Sequence, residues 1–257
     1  DEDLPLKELG NRNYLANDFI QDAKPLGMEK MIHVQAAIGS KDPVEETKWL
    51  EEIYSKDSIP NAIVGHVDLR AYDAREVIEK HLKYPHFKGI RDFSYGDYLV
   101  NDDFRSGFKL HEEYGLISSI AARWNEMENL VDLAKSFPNI TIVLDHAGNP
   151  DFRTEEYFNN WLKGMKKISN IENIICKISG LGMGDHNWTI DSIKPYVYSC
   201  LELFGFERSI FATNWPVDSL YSSYKKVIES YKKLTEDFSK TENELFFYKN
   251  SERIYNI

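Results

Sequence analysis

Seven short apolar runs rich in β-branched residues recur along the chain: Met31 to Ile38, Ala62 to Leu69, Phe87 to Phe93, Leu116 to Ala122, Ile140 to His146, Ile174 to Ser179 and Ser209 to Thr213. Between them, apolar residues return every three or four positions, the period of a helix with one buried face. These stretches are Val44 to Tyr54, Ala74 to Leu82, Phe104 to Tyr114, Glu126 to Phe137, Tyr157 to Ile168 and Ile193 to Phe204. The runs are apolar throughout rather than alternating, as in strands covered on both faces. Strict strand and helix alternation predicts a parallel sheet clothed by helices.

A closed barrel and an open doubly wound sheet both fit that order. No glycine-rich phosphate turn follows the first run, and the spacing of the units matches the barrel repeat, so the pattern predicts a (β/α)8 TIM-type barrel. Eight strands are needed and seven are present. Residues 1 to 28 offer none, being broken by Pro5, Gly10, Asn11, Asn13 and Asn17, with only a short helix near Asn17 to Lys24. The missing strand, first in order, is therefore expected upstream of Asp1. Tyr221 to Lys233 and Thr241 to Tyr255 follow the last run as a final barrel helix and an extension. No repeat or linker interrupts the series, and 257 residues suit one barrel domain over residues 1–257.

Hydrophobic residues at 42% predict a real core, and a net charge of -11 opposes binding to nucleic acid or an anionic membrane. Lysine pairs such as Lys166 and Lys167 read as solvated helix faces. Cys176 and Cys200 sit in apolar surroundings and suggest no disulfide framework, which points to the cytoplasm. No apolar run is long enough for a membrane span, and the acidic start is not a signal peptide. A small molecule is the expected partner, with homo-oligomerisation left open.

Barrel sites are built where the strands end. The polar residues closing the runs are Gln35, Asp68, Arg91 with Asp92, Arg123 with Trp124, Asp145 with His146, Lys177 with Ser179, and Asn214 with Trp215. His146 stands at a strand-to-loop junction as a candidate acid, base or ligand, against the alternative of a turn histidine. Arg91 offers a planar fork for a carboxylate or carbonyl, against a structural salt bridge to Asp92 or Asp145. Asn214 can orient water but takes no proton. Gln35 and Lys177 fit a polar interior network equally well. His66 faces either the mouth or the helices. His33, His81, His86 and His111 read as surface or core residues, without metal spacing.

The segments Leu144 to Pro150, Cys176 to Leu181, Phe87 to Arg91, Arg208 to Val217, His33 to Ile38 and Asp42 to Leu50 together resemble the amidohydrolase-related family of sugar lactonases and pyrone-dicarboxylate lactonases. The resemblance implies a hydrolase that opens a lactone or related carboxylic ester at the barrel mouth. His146 matches a family histidine, while Asn214 stands where most members carry a catalytic Asp. The His-x-His pair of the family belongs to the strand missing here. A divalent ion such as zinc, with His146 among its ligands, is the cofactor that the resemblance admits; relatives without metal polarise the carbonyl with Arg and His. It further implies Arg91 and Lys177 on substrate oxygens, with Gln35 nearby and Trp124, Trp188 and Trp215 as walls. His146 would polarise the carbonyl or relay a proton, and Asn214 would place water. Two competing readings are a non-catalytic barrel holding a small carboxylate and a different chemistry such as amide hydrolysis or decarboxylation.

Overall fold

The structure, a computed structural model, describes residues 9–10, 12–36, 41–92 and 97–257. All seven apolar runs contain strands: β1 (Ile32–Val34), β2 (Ala62–Gly65), β3 (Phe87–Ile90), β4 (Ile117–Ile120), β5 (Ile142–Leu144), β6 (Ile174–Ile178) and β7 (Ser209–Phe211). Each is shorter than its run, because the polar residues at the carboxyl ends leave the ladder to build loops. Ala37, Ile38 and Phe93, at the ends of two predicted runs, lie outside the described residues.

The strands form one parallel sheet in sequential order from β1 to β7. Side chains alternate between its faces. On β5 and β6, Ile142, Leu144, Ile174, Cys176 and Ile178 face the helical shell and join its core, with Trp161, Met165 and Leu201. The opposite positions, Val143 and Ile175, gather with Ala62, Val64, Ile117, Ile210 and Tyr255, and Ile32 and Val34 of β1 pack onto the same cluster. Side chains from both end strands meet in one cluster only if the sheet curls, so the sheet is a half-barrel with an apolar lining.

That lining changes character along the strands. Period-two spacing carries Ile117 to Ser119, Val143 to Asp145 and Ile175 to Lys177 on the same inner face, so the interior turns polar toward the carboxyl ends. A bulge at Ile63 and Val64 re-phases β3, pairing Val64 with Gly89. A Cβ on Gly89 would stand 2.7 Å from the Ile117 carbonyl oxygen, so only glycine permits this approach.

The helices are α1 (Ala16–Ala23), α2 (Val44–Asp57), α3 (Ala74–His81), α4 (Asp102–Phe108), α5 (Leu110–Tyr114), α6 (Met127–Ser136), α7 (Glu155–Ile168), α8 (Ile190–Phe204), α9 (Tyr224–Leu234), α10 (Lys240–Glu244) and α11 (Asn250–Tyr255). Side-chain caps set several starts, as where Thr154 Oγ1 accepts from Tyr157 N and Ser223 Oγ from Lys226 N. The predicted helix from Phe104 to Tyr114 is two helices. The one from Thr241 to Tyr255 is interrupted by a π turn over Leu245–Lys249, which redirects Tyr255 into the sheet interior. No helix among the described residues is long and apolar enough to cross a membrane.

His81 and His111 are core residues. His81 lies 2.8 Å from Thr47 Oγ1 and 3.1 Å from the His66 carbonyl, and His111 Nδ1 lies 3.0 Å from the Phe108 carbonyl. Burial pushes both imidazoles down to about 4. The unfolded chain therefore binds protons that the folded chain refuses, and stability is lost as pH falls from about 6.5 toward 4. Thermal midpoints across this window should fall with pH in the native chain and fall less in His111→Asn; equal slopes would show that His111 does not contribute.

Candidate functional site

Asp145, at the inner end of β5, is fully buried and is the hub of the polar layer. Lys177 Nζ lies 2.7 Å from its Oδ1, Ser119 Oγ donates to the same oxygen at 2.7 Å, and Arg91 Nε stands 3.5 Å from Oδ2. Burial alone would raise this carboxyl; Lys177 and then Arg91 more than offset that and hold it well below the usual carboxylate range. Three strands thus converge on one carboxylate, and the predicted salt bridge of Arg91 to Asp145 is present as a long contact.

The turn after β5 runs through the left-handed region, with φ 51° at both His146 and Ala147 and 47° at Asn149. Such backbone is costly for residues with a Cβ and persists where the surroundings enforce it. Trp161 enforces it here, its indole N–H donating to the Ala147 carbonyl at 2.7 Å. His146 remains partly accessible, with Nδ1 3.0 Å from Ser179 Oγ. Burial within this layer, against the pull of Asp145 and aided by Lys177 and Arg91, lowers its imidazole to about 3, so it is neutral at pH 7.

Asn214, beyond β7, also has positive φ, at 54°. Its amide nitrogen donates to Asp218 Oδ1 at 2.8 Å, and the Asp218 backbone N–H returns to the Asn214 carbonyl at 3.0 Å. Gly180 brings the two turns together: a Cβ there would lie 2.7 Å from His146 Nδ1 and 3.1 Å from Asn214 Nδ2. Burial raises the Asp218 carboxyl to about 7, with only the Asn214 bond acting to lower it.

The other predicted residues scatter. Gln35 is buried just after β1, and its Oε1 has no hydrogen-bond partner among the described residues. Trp124 is 37% exposed and meets Tyr157 edge-on. Trp188 is buried behind the Leu181–Gly184 turn with Lys226 Nζ 4.1 Å from its ring centre, so it packs into the shell rather than facing open space. Trp215 donates to the Tyr14 hydroxyl at 2.7 Å and packs edge-on against Tyr224, tying the segment before α1 and the start of α9 to the last loop. Asp68 pairs with Arg70 and Arg123 with Asp151, while Asp92 accepts from Leu69 N. Two residues escaped the sequence reading: Ser119, which inner-face periodicity would have shown, and Asp218, four positions beyond Asn214.

The described residues do not fit a divalent ion. His146 has no second and third ligand beside it, no cluster of three His, Cys, Asp or Glu able to hold a metal occurs among them, and the nearest carboxylate, Asp145, already faces two cations, Lys177 and Arg91.

A crystal structure of an amidohydrolase from Burkholderia multivorans with bound zinc superposes with a TM-score of 0.89 at 22% identity, covering 97% of this chain and 91% of that one, and so shares the fold. An L-fucono-1,5-lactonase of Burkholderia ambifaria is 28% identical over 78% of this chain and 70% of its own length. The uncharacterized protein y4mH of Sinorhizobium fredii is 35% identical over 96% of this chain and 87% of its own. Residues 42–257, which include β2 to β7 and the whole Asp145, His146 and Asn214 arrangement, match the sequence model described as Amidohydrolase, and the chain belongs to the amidohydrolase family.

Proposed function

We propose that this hydrolase opens the lactone of a sugar acid, adding water across the ring ester to give an open hydroxy acid. The observation that carries this reading is the grouping of His146, Lys177 and Arg91 about the buried Asp145 at the carboxyl end of the sheet, with His146 Nδ1 3.0 Å from Ser179 Oγ. Likeness to an L-fucono-1,5-lactonase supports the substrate class.

The geometry favours one of the two roles expected of His146. An imidazole protonated only near pH 3 is a poor proton acceptor at neutral pH but a sound N–H donor. In the tautomer this reading requires, Nδ1 accepts from the Ser179 hydroxyl 3.0 Å away, and Nε2 carries the proton and polarises the lactone carbonyl. Arg91, beside Asp145, adds positive charge where the oxyanion develops. Water held by Asn214 attacks the acyl carbon, the ring C–O bond breaks, and the departing ring oxygen leaves as a hydroxyl with the proton released by water. Gln35 and Trp124 are proposed to contact the sugar; Trp188 and Trp215 support the loops from behind.

We infer further that the half-barrel is seven-eighths of a (β/α)8 barrel, with the open seam between β7 and β1 the place for an eighth strand. One sheet and one main core, from Val67 to Phe246, support a single domain. Two free, buried cysteines support a reducing cytoplasmic setting.

The test is proton release in a pH-stat with a panel of five- and six-membered sugar-acid lactones, L-fucono-1,5-lactone among them. The expected result is turnover of at least one lactone with kcat/KM on the order of 10⁴ per molar per second or more. Calorimetric binding of sugar-acid carboxylates without turnover of any lactone would favour the non-catalytic barrel instead.

A further inference from the structure

Asp218 has an environment that nothing in the sequence pattern announces. The residue is 4% exposed, yet no lysine or arginine among the described residues stands against its carboxyl. The titratable groups that face it are the Tyr221 hydroxyl, from its own turn, and Tyr231, from α9; His186 stacks on Tyr221 with ring centres 4.4 Å apart. Its one side-chain hydrogen bond among the described residues is the one from Asn214 Nδ2, at 2.8 Å. Asn214 Oδ1 accepts no hydrogen bond from the described residues.

An ionised carboxylate only accepts hydrogen bonds, whereas an amide has a donating and an accepting end. A carboxylate at Asp218 therefore dictates which end of Asn214 faces away from it. We propose that Asp218 is a positioning residue for hydrolysis: by holding Asn214 Nδ2, it fixes the amide with Asn214 Oδ1 directed away from Asp218, and that oxygen orients the attacking water. This rests on the lactonase reading and adds a residue to it. A protonated Asp218 donates instead, so the amide reverses and presents to water its Nδ2, which cannot accept a hydrogen bond. Burial places this exchange in the neutral range, with the carboxyl at about 7.

The consequence is a pH dependence that belongs to Asp218 and not to His146, whose imidazole titrates far lower. Native enzyme should show kcat rising through a break near pH 7. Asp218→Asn keeps the shape, loses the titration and lets both amide orientations coexist, so kcat should be flat through the break and roughly tenfold below native at pH 8. Asp218→Ala should lose at least as much, and Asn214→Ala should abolish the difference between Asp and Asn at position 218.

A readout independent of turnover accompanies this. Because the folded carboxyl sits above its unfolded value, Asp218 contributes stability that is lost as pH rises from about 4 to 7; this runs against the contribution of the buried histidines and is absent in Asp218→Asn, so the stability of native protein relative to that variant should fall across the window. In an Asn214→Ala background the break in stability should move to higher pH, since the bond lowering the Asp218 carboxyl is gone. An unaltered kcat break in Asp218→Asn, or identical stability profiles with and without Asn214, overturns the proposal. Native enzyme inactive on every lactone sinks the lactonase reading and the positioning role with it, but leaves the stability coupling measurable, so the two failures are told apart.

Discussion

Lys177→Met is expected to cost about 3 kcal/mol of stability, because it removes the nearest cation from a carboxylate with no exposed surface. For a chain of this size that lowers the thermal midpoint by roughly 6–12 °C. The loss stays near the low end of what broken buried pairs cost, since Arg91 stands 3.5 Å from Oδ2 and Ser119 still donates to Oδ1. The linkage sign follows from Asp145: a carboxyl held low contributes stability present above its unfolded value near 3.9 and lost as pH falls below it. Lys177→Met should therefore differ most from native protein at pH 6–8, and the gap should narrow toward pH 3. Asp145→Asn combined with Lys177→Met removes both charges and should regain a large part of the loss. Calorimetric melts of the single and double variants check this. A Lys177→Met midpoint within about 2 °C of native would mean that Asp145 does not depend on Lys177, leaving the ammonium available to substrate.

The order of seven strands and the helices between them was legible because parallel strands covered on both faces are apolar throughout and amphipathic helices keep their period. Their ends were less legible. The run ending in Asp145 and His146 reads as one strand, but the ladder stops at Leu144, and the next residues turn through left-handed backbone that no pattern of apolar positions encodes. The convergence of Arg91, Ser119 and Lys177 on Asp145 was half legible: inner-face periodicity brings Ser119, Asp145 and Lys177 into one layer. The register shift between β2 and β3 and the Gly89 approach, two residues before Arg91, depend on backbone geometry. The tryptophans show the limit most clearly. Trp124, Trp188 and Trp215 all follow strands or their loops, yet a large ring stabilises a core as readily as it walls a site. Only packing separates Trp188, buried under Lys226, from Trp124 at the rim. Asp218 went unnoticed because Pro216 reads as the end of the strand signal, while the chain turns back on itself just beyond it.

His146→Gln is expected to lower kcat/KM for lactone hydrolysis by 10²- to 10⁴-fold, the usual range for a positioned proton donor or acceptor. Glutamine keeps a polar tip of similar reach, so the loss reports on the imidazole rather than on an emptied space. If the imidazole polarises the carbonyl, kcat should fall more than KM rises, because the interaction strengthens as charge moves onto the oxygen. The break near pH 7 should survive in this variant at its reduced rate, since it belongs to the Asp218 and Asn214 pair. Stability gives the complementary sign. A buried neutral histidine makes the folded protein lose stability as pH falls from about 6.5 toward 3, so His146→Gln should be less acid-sensitive than native protein over that window. Steady-state kinetics at pH 6, 7 and 8 with melts from pH 4 to 7 separate the two effects. Activity within threefold of native, alongside reduced acid sensitivity, would leave His146 as a buried turn residue and pass the carbonyl to Arg91.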